Sequence, residues 1–522
     1  MPRRATIVAG SVSAGLLFAV AAAEGCGSNS DQGSTYTEAG VSSGDGASSG
    51  GGASSGSGGA SSGGSGDGGF SLGCSPLSSC QVHCPDAGPS TSLSGTVYDP
   101  AGKVPLYNVL VYIPTETLKP ITTGATCDQC GAQATGNPLV TALTDAQGHF
   151  VLNNVPVGVQ LPLVMQLGKW RRQVMVPAVT KQCGDTALTD KNLLRLPRNQ
   201  SEGDIPLIAV ATGGADPLEC LLRKVGLSDS EFSTAGGTGR VHLYAGGGYT
   251  SGTTADAGGT AVNASSSFAS SLNGGAPFAS AQSLWSSFKA DGGSQPSLSE
   301  YDILLLACEG QWNVATKPPA ALQAMSDYEN AGGRVFMSHW HDYWIEHGPA
   351  PLPSTGTFND DPDSGSLYLP QPPPPQPFPS SIDTTFPKGQ AFHDWLSNVG
   401  ALDSSGLLDI FQARHNQNAV GASAQRWVYQ PDPNTLPTPN EVAIEYMSFN
   451  TPIGVDAGAQ CGRVVYSDLH VSGAVDAGDQ TGQPFPNGCV TSDLSAQEKA
   501  LEFMLFDLSS CIQSDSTMPM PM

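Results

Sequence analysis

The sequence predicts a multidomain chain: an all-β sandwich followed by an α/β part built on a doubly wound parallel sheet. Three observations predict it. Residues 91–201 alternate short β-branched and aromatic runs with turn signals, whereas residues 202–512 alternate continuous apolar runs with helical periods. Ahead of residue 74 neither pattern exists. The 522 residues suffice for such a plan, and 64 Gly with 40 Pro mark part of the length as spacer.

Charge narrows the function classes first. With 22 Lys+Arg against 46 Asp+Glu the formal charge is −24, and a field of that sign repels nucleic acid and anionic lipid. Nucleic acid is therefore not an expected partner. Residues 1–25 read as an export signal, with "MPRR" as the basic end and Ile7 to Ala23 as a short apolar core. The following "AAEGC" resembles the lipobox of bacterial lipoproteins, which implies that Cys26 is the lipidated first residue of the mature chain; simple secretion is the alternative. The expected location is thus exported: an outer-membrane lipoprotein on the periplasmic face or cell surface, or a secreted protein. Membrane contact is expected only through that anchor. Residues 26–73, centred on "GGASSGSGGASSGGSG", cannot bury enough apolar area to offset backbone entropy and read as a disordered tether.

Export decides how the cysteines are read. Eleven follow Cys26, and in an oxidising compartment they default to disulfides with one left over. The Cys-rich segment 74–90 holds Cys74, Cys80 and Cys84, which with His83 would also suit zinc, but "CDQC" at 127–130 has no second C-x-x-C at zinc-ribbon spacing.

In the first folded part, "TSLSGTVYDP" and "NVLVYIP" flank the turn signal "DPAGK", and "TALTDAQGHFVLNNVPVG" repeats the pattern about a turn at Asp145 to Gly148. Strands this short at this spacing predict a sandwich. Those two stretches resemble the carboxypeptidase regulatory-like (transthyretin-like, starch-binding-like) domain, which implies a Greek-key sandwich with glycan or peptide as partner. The insertion carrying "CDQC" departs from that pattern and reads as a disulfide-pinned loop. Within "GKWRR", Lys169, Trp170, Arg171 and Arg172 form the basic cluster of an acidic chain. They either stack on a sugar and grip an acidic group or form a strand face against the next domain.

The second part opens with "IPLIAVATGG" and "DPLECLLRKVGL", where Asp216 is the expected cap and Pro217 the first helical residue. "GRVHLYAG", "YDILLLAC", the helical "PAALQAMSDYENA" and "GRVFMSHW" continue the alternation. Loop insertions are expected near 246–275 and 349–388. The strands "RWVYQ", "EVAIEYMSF" and "GRVVYSDLH" follow, then a helix opened by a Ser495 to Glu498 capping box, and a disordered tail at 513–522.

Open α/β sheets place ligands beyond the carboxyl ends of their strands. That rule selects Gly213, Gly214 and Asp216 after the first strand; Cys308, Glu309 and Gln311 after "YDILLLA"; His339, His341 and Asp342 after "GRVFMS"; and Asp468 and His470 after "GRVVYS". The element order resembles the class I glutamine amidotransferase-like (flavodoxin-like) fold and, within it, the trehalose-utilisation-protein-like branch. That branch carries a histidine after the "GG" strand and another after a late "GRVVYS"-type strand, matched by His339 and His470. His339 stands where the glutaminase cysteine would, so the resemblance does not imply glutaminase activity. Cys308 follows an earlier strand and reads as a disulfide partner or inert core cysteine.

Two functions stay open at this level. One is a binding or scaffolding protein with no cofactor. The other is a carbohydrate-active or other hydrolase in which His339, His341 and His470, with Glu309, Asp342 or Asp468, act as acid and base or hold a divalent metal. In an extended chain His339 and His341 face one side and can ligate jointly; if a helix begins at once they diverge. The plain alternative is that they hydrogen-bond locally and close the sheet edge beside Trp340 and Trp344.

Overall fold

The structure is a computed structural model that describes residues 74–519 apart from 87, 133, 215, 248–263, 290–295, 359–376, 432–441 and 472–478. The export signal, Cys26, the tether and parts of both loop insertions lie outside the described residues. No helix among the described residues is long and apolar enough to cross a membrane. The fold is mostly sheet, with six α-helices among the described residues.

Seven strands make the first part: β1 (Ser92–Thr96), β2 (Leu110–Pro114), β3 (Pro138–Leu143), β4 (His149–Asn153), β5 (Leu161–Leu167), β6 (Trp170–Val176) and β7 (Asp185–Ala187). They form a four-stranded antiparallel sheet, β3-β2-β5-β6, and a three-stranded one, β4-β1-β7. Alternation explains the packing. In β4, Phe150 and Leu152 are buried while His149, Val151 and Asn153 are exposed, and the buried pair joins Val111, Ile113, Leu163 and Met165 of the other sheet in one core.

The second part contains β8 (Ile208–Thr212), α1 (Leu218–Lys224), β9 (Phe232–Thr234), β10 (Val241–Ala245), β11 (Ala279–Ser280), α2 (Ala281–Leu284), β12 (Ile303–Leu306), α3 (Pro319–Ala331), β13 (Arg334–Ser338) and α4 (Tyr343–Glu346). After these come β14 (Gly356–Phe358), β15 (Phe378–Ile382), α5 (Pro387–Asn398), β16 (Leu408–Ile410), β17 (Gln417–Val420), β18 (Ala424–Pro431), β19 (Val442–Thr451), β20 (Gly462–Ser467) and α6 (Ala496–Ser509). The large sheet runs β11-β10-β8-β12-β13-β20-β19-β18-β15-β16. From β11 to β20 every pairing is parallel, and from β20 to β16 every pairing is antiparallel.

The sheet is therefore mixed where the sequence predicts a parallel one. Connection length accounts for part of this: a parallel pair needs a crossover of roughly a dozen residues or more, usually a helix, and the links from β18 to β19 and from β19 to β20 fall short of it, whereas β15 and β16 pair antiparallel although α5 lies between them. Both faces of the parallel strands are covered. Ile303 and Leu305 of β12 belong to the same apolar cluster as Leu221 of α1 and Met504 of α6, while Leu304 and Leu306 belong to that of Met325 of α3 and Trp344 of α4. The expected capping box is present at α6, where Ser495 Oγ accepts from Glu498 N at 3.2 Å. Asp216, however, does not cap α1; its carboxylate accepts from Ser338 Oγ (2.6 Å) at the end of β13 and from Val471 N (2.7 Å) in the loop after β20, both buried beside it.

The two parts are continuous. Residues 70–522 form one compact unit, and the sandwich core and one face of the large sheet belong to a single apolar cluster. Trp170 meets Phe506 of α6 edge to face at 5.8 Å between ring centres, and Tyr107 stacks on Phe503 at 5.9 Å. The "CDQC" loop is pinned across the seam by Cys127–Cys461 and Cys130–Cys511. Cys74–Cys80, Cys84–Cys183 and Cys220–Cys489 complete the disulfides, which leaves Cys308 as the free cysteine among the described residues.

Candidate functional site

Adjacent parallel strands β12, β13 and β20 each release a side chain just past their carboxyl ends: Cys308, His339 and His470. One ligand atom from each lies within 4.8 Å of the others, and all three residues are buried. Gly213, past β8, makes the close approach of the strand ends feasible, since a Cβ there would lie 2.0 Å from the Cys308 carbonyl oxygen.

His339 is the first residue of a tight strand-to-helix turn and has φ +46°. Left-handed backbone at a non-glycine residue costs about 1–3 kcal/mol and persists only where the surroundings fix it. Here they do. His339 Nδ1 is 3.3 Å from Cys308 Sγ, and its Nε2 is 3.1 Å from Asn416 Oδ1. Asn416 is itself oriented, because its Nδ2 donates to Asp342 Oδ2 (3.0 Å) and its backbone N donates to Asp468 Oδ2 (3.1 Å). With the amide oxygen thus turned to His339, Nε2 carries the proton and the Nδ1 lone pair faces the thiol. Trp312 Nε1 donates to Asp342 Oδ1 (2.8 Å) and Tyr466 donates to Asp468 Oδ1 (2.6 Å).

On the other side, the His470 ring lies 5.1 Å from that of His339, with Arg414 Nη2 at 3.5 Å from its Nδ1. Gly310 N donates to Cys308 Sγ at 3.4 Å. Burial raises the carboxyls of Asp216 and Asp342 to about 6 each, and raises Asp468 and Glu445 as well.

Of the residues selected from sequence, His339, His470, Asp342 and Asp468 come together in this network. His341 does not join them. The helical turn begins at His339, so the two imidazoles diverge, and His341 Nε2 donates to Ala307 O (3.0 Å) while its Nδ1 accepts from Trp344 Nε1 (3.0 Å). Burial lowers its pKa to about 4, which keeps it neutral. Glu309 is separately engaged: burial, the largest single influence, would raise its carboxyl, but Lys317 at 2.6 Å together with His341 and the Gly247 N–H (2.6 Å) outweighs burial and holds it down. Trp170 is fully buried in the seam and offers no ring face to a sugar at the surface. Arg171 pairs with Asp204 at 2.8 Å, and Arg172 Nη1 donates to Asn192 O at 2.9 Å. Trp170 and Arg171 thus face the second part, whereas the Arg172 guanidinium stays within the sandwich.

Cys308 stands at a strand end that the sequence singles out but reads there as a disulfide partner or inert core cysteine, and Asn416 was not selected from sequence. The odd cysteine count was the available signal for the first; Asn416, in the polar run "RHNQ", carried none.

No family model and no curated protein matches the chain. Among solved structures, a chain of a type II cohesin–X-dockerin complex from Acetivibrio cellulolyticus is similar at 16 % identity, covering 28 % of this chain and 76 % of that one, with a TM-score of 0.14. At that score the likeness carries no argument.

Proposed function

We propose that this chain is an exported cell-envelope protein of the binding or scaffolding kind whose large sheet holds a soft transition metal, Zn²⁺ or Cu⁺, on Cys308, His339 and His470. The observation that carries the reading is the buried meeting of one thiol and two imidazoles at the ends of three adjacent strands. Ligands at about 2.3 Å (sulfur) and 2.05 Å (nitrogen) from one tetrahedral ion stand about 3.5 Å apart, close to the 3.3 Å between Cys308 Sγ and His339 Nδ1. Thiolate with imidazole selects these metals over Mg²⁺ or Ca²⁺. The Asn416 contact supplies the outer hydrogen bond that fixes a ligating imidazole's tautomer. Full burial fits a closed, structural or storage centre better than a catalytic one. Export through residues 1–25, lipidation at Cys26, the carboxypeptidase regulatory-like sandwich and the amidotransferase-like sheet remain part of the same proposal.

Elemental analysis of the mature protein from an oxidising compartment tests the reading. About one equivalent of zinc or copper is expected, lost in Cys308→Ser and in His470→Ala. No metal as isolated, and no stoichiometric uptake of added Zn²⁺, would end it.

One geometric fact favours a second reading. Cys308 Sγ, His339 Nδ1 and Nε2, and Asn416 Oδ1 stand in the order nucleophile, base, orienter. In that reading the chain is a thiol hydrolase, and iodoacetamide alkylates Cys308 at neutral pH faster than it does a free thiol. Under the metal reading Cys308 resists alkylation until a chelator is added.

A further inference from the structure

A cavity of about 340 Å³ lies in the seam at the opposite, amino ends of the parallel strands. Its walls come from the sandwich, the "CDQC" loop and the large sheet. The size falls within the roughly 300–1,000 Å³ typical of small-molecule sites, which favour such junctions.

Its polar groups are unevenly matched. Arg334, the first residue of β13, is 5 % exposed and donates only to carbonyls, from Nη1 to Cys461 O (2.7 Å) and from Nη2 to Ser510 O (3.3 Å). No carboxylate pairs with it among the described residues. Lys169 and Arg171 also line the cavity, balanced by Asp302 at 2.8 Å from Lys169 and by Asp204 at 2.8 Å from Arg171. A buried guanidinium without an anion is costly, and a carboxylate accepts two of its N–H groups in one plane. Burial pulls the Arg334 pKa down to about 10, with Asp128 acting against that shift, and the group stays charged at neutral pH. Gln166 supplies a second demand: its Nε2 donates to Gly168 O (3.0 Å), and its Oε1 has no hydrogen-bond partner among the described residues. A hydroxyl placed there would satisfy that oxygen.

We infer that the seam cavity binds a small hydroxylated carboxylate of about disaccharide size, an acidic sugar such as a uronate, with its carboxylate on Arg334 and a hydroxyl on Gln166. The inference is independent of the metal centre, which lies at the other end of the strands.

The test is calorimetric titration of the full mature chain with digalacturonate, beside the neutral sugar galactobiose and the hydroxyl-free dicarboxylate glutarate. Digalacturonate is expected to bind with Kd below about 1 mM, and each comparison ligand at least about tenfold more weakly. Arg334→Met should abolish binding. Because Arg334 also ties two carbonyls, Ala132→Trp serves as the second variant: Ala132 is exposed at the cavity wall, so the indole blocks the space while Tm is unchanged. Digalacturonate binding that survives Ala132→Trp, or that galactobiose equals, would overturn the assignment, as would no binding at all. Tighter binding of glutarate would overturn the sugar part and put a simple dicarboxylate in its place.

Discussion

Strand β13 begins at Arg334 and ends beside His339, and the two ends bury opposite kinds of polar chemistry. At the carboxyl end, apart from the Glu309–Lys317 pair and Arg414, the buried groups gathered near the site can shed their charge. His341 is held neutral, Asp216 and Asp342 have pKa values near 6, and Cys308 and His339 face one another. At the amino end the cations cannot shed theirs. Arg463 of β20 pairs with Asp507 at 2.7 Å and Asp515 at 2.9 Å, and Lys388 of α5 meets Asp507 at 2.9 Å. A permanent buried charge must be matched by an opposite charge or by carbonyls, whereas a titratable group can neutralise. One end is therefore a rigid ionic lattice; the other is a cluster whose protonation a bound cation can reorganise.

The contrast is broken most severely at the amino end. Asp507→Ala leaves Arg463 and Lys388 buried with less than their counter-charge, and a loss of about 3–5 kcal/mol is expected in denaturant unfolding. The corresponding Asp342→Asn change should cost much less, since a group with a pKa near 6 tolerates neutrality. Equal losses would erase the distinction.

A smaller effect separates the ends by pH. Glu329 on α3 is fully buried with neither carboxylate oxygen hydrogen-bonded among the described residues, and burial raises its pKa from 4.5 to about 8. Its contribution to stability is fully present below about pH 4.5 and lost as pH rises through 8. Glu329→Gln should therefore flatten the alkaline side of the stability curve, by a few kcal/mol at most. His341 has the opposite sign. Its pKa falls from 6.5 to about 4, so its contribution is complete above 6.5 and lost as pH drops through 4. His341→Gln should remove that acid-side loss while Glu329→Gln leaves it, both followed by Tm between pH 4 and 9.

The smallest effect belongs to the surface of the seam. Lys103 and Asp493 form an ion pair but are 57 % and 83 % exposed, so Lys103→Ala should leave Tm unchanged in 0.15 M salt. A measurable drop would mean that the seam depends on its rim and not on Trp170, Phe506 and the two crossing disulfides.

Much of this was legible in the sequence wherever local chemistry decided the outcome. Helix α3 spans Pro319–Ala331, the same thirteen residues whose apolar spacing predicted it, because Pro at its start and Gly332 at φ +117° fix both ends. The strand ends that carry His339 and His470 followed from buried apolar runs. What the sequence hid depended on distance. Nothing local tells that Asn416 orients His339, that Asp216 turns from its own helix to Ser338, or that Cys308 is the cysteine left unpaired. The antiparallel half of the sheet was hidden for a related reason, since a buried strand reads the same in either direction.

X-ray absorption at the metal edge of the mature protein tests the central claim most directly. The account predicts one sulfur scatterer at about 2.3 Å and two imidazole nitrogens at about 2.0–2.1 Å, with the sulfur lost in Cys308→Ser. A bound metal surrounded only by oxygen and nitrogen, or no metal edge in protein grown with zinc and copper supplied, would contradict it.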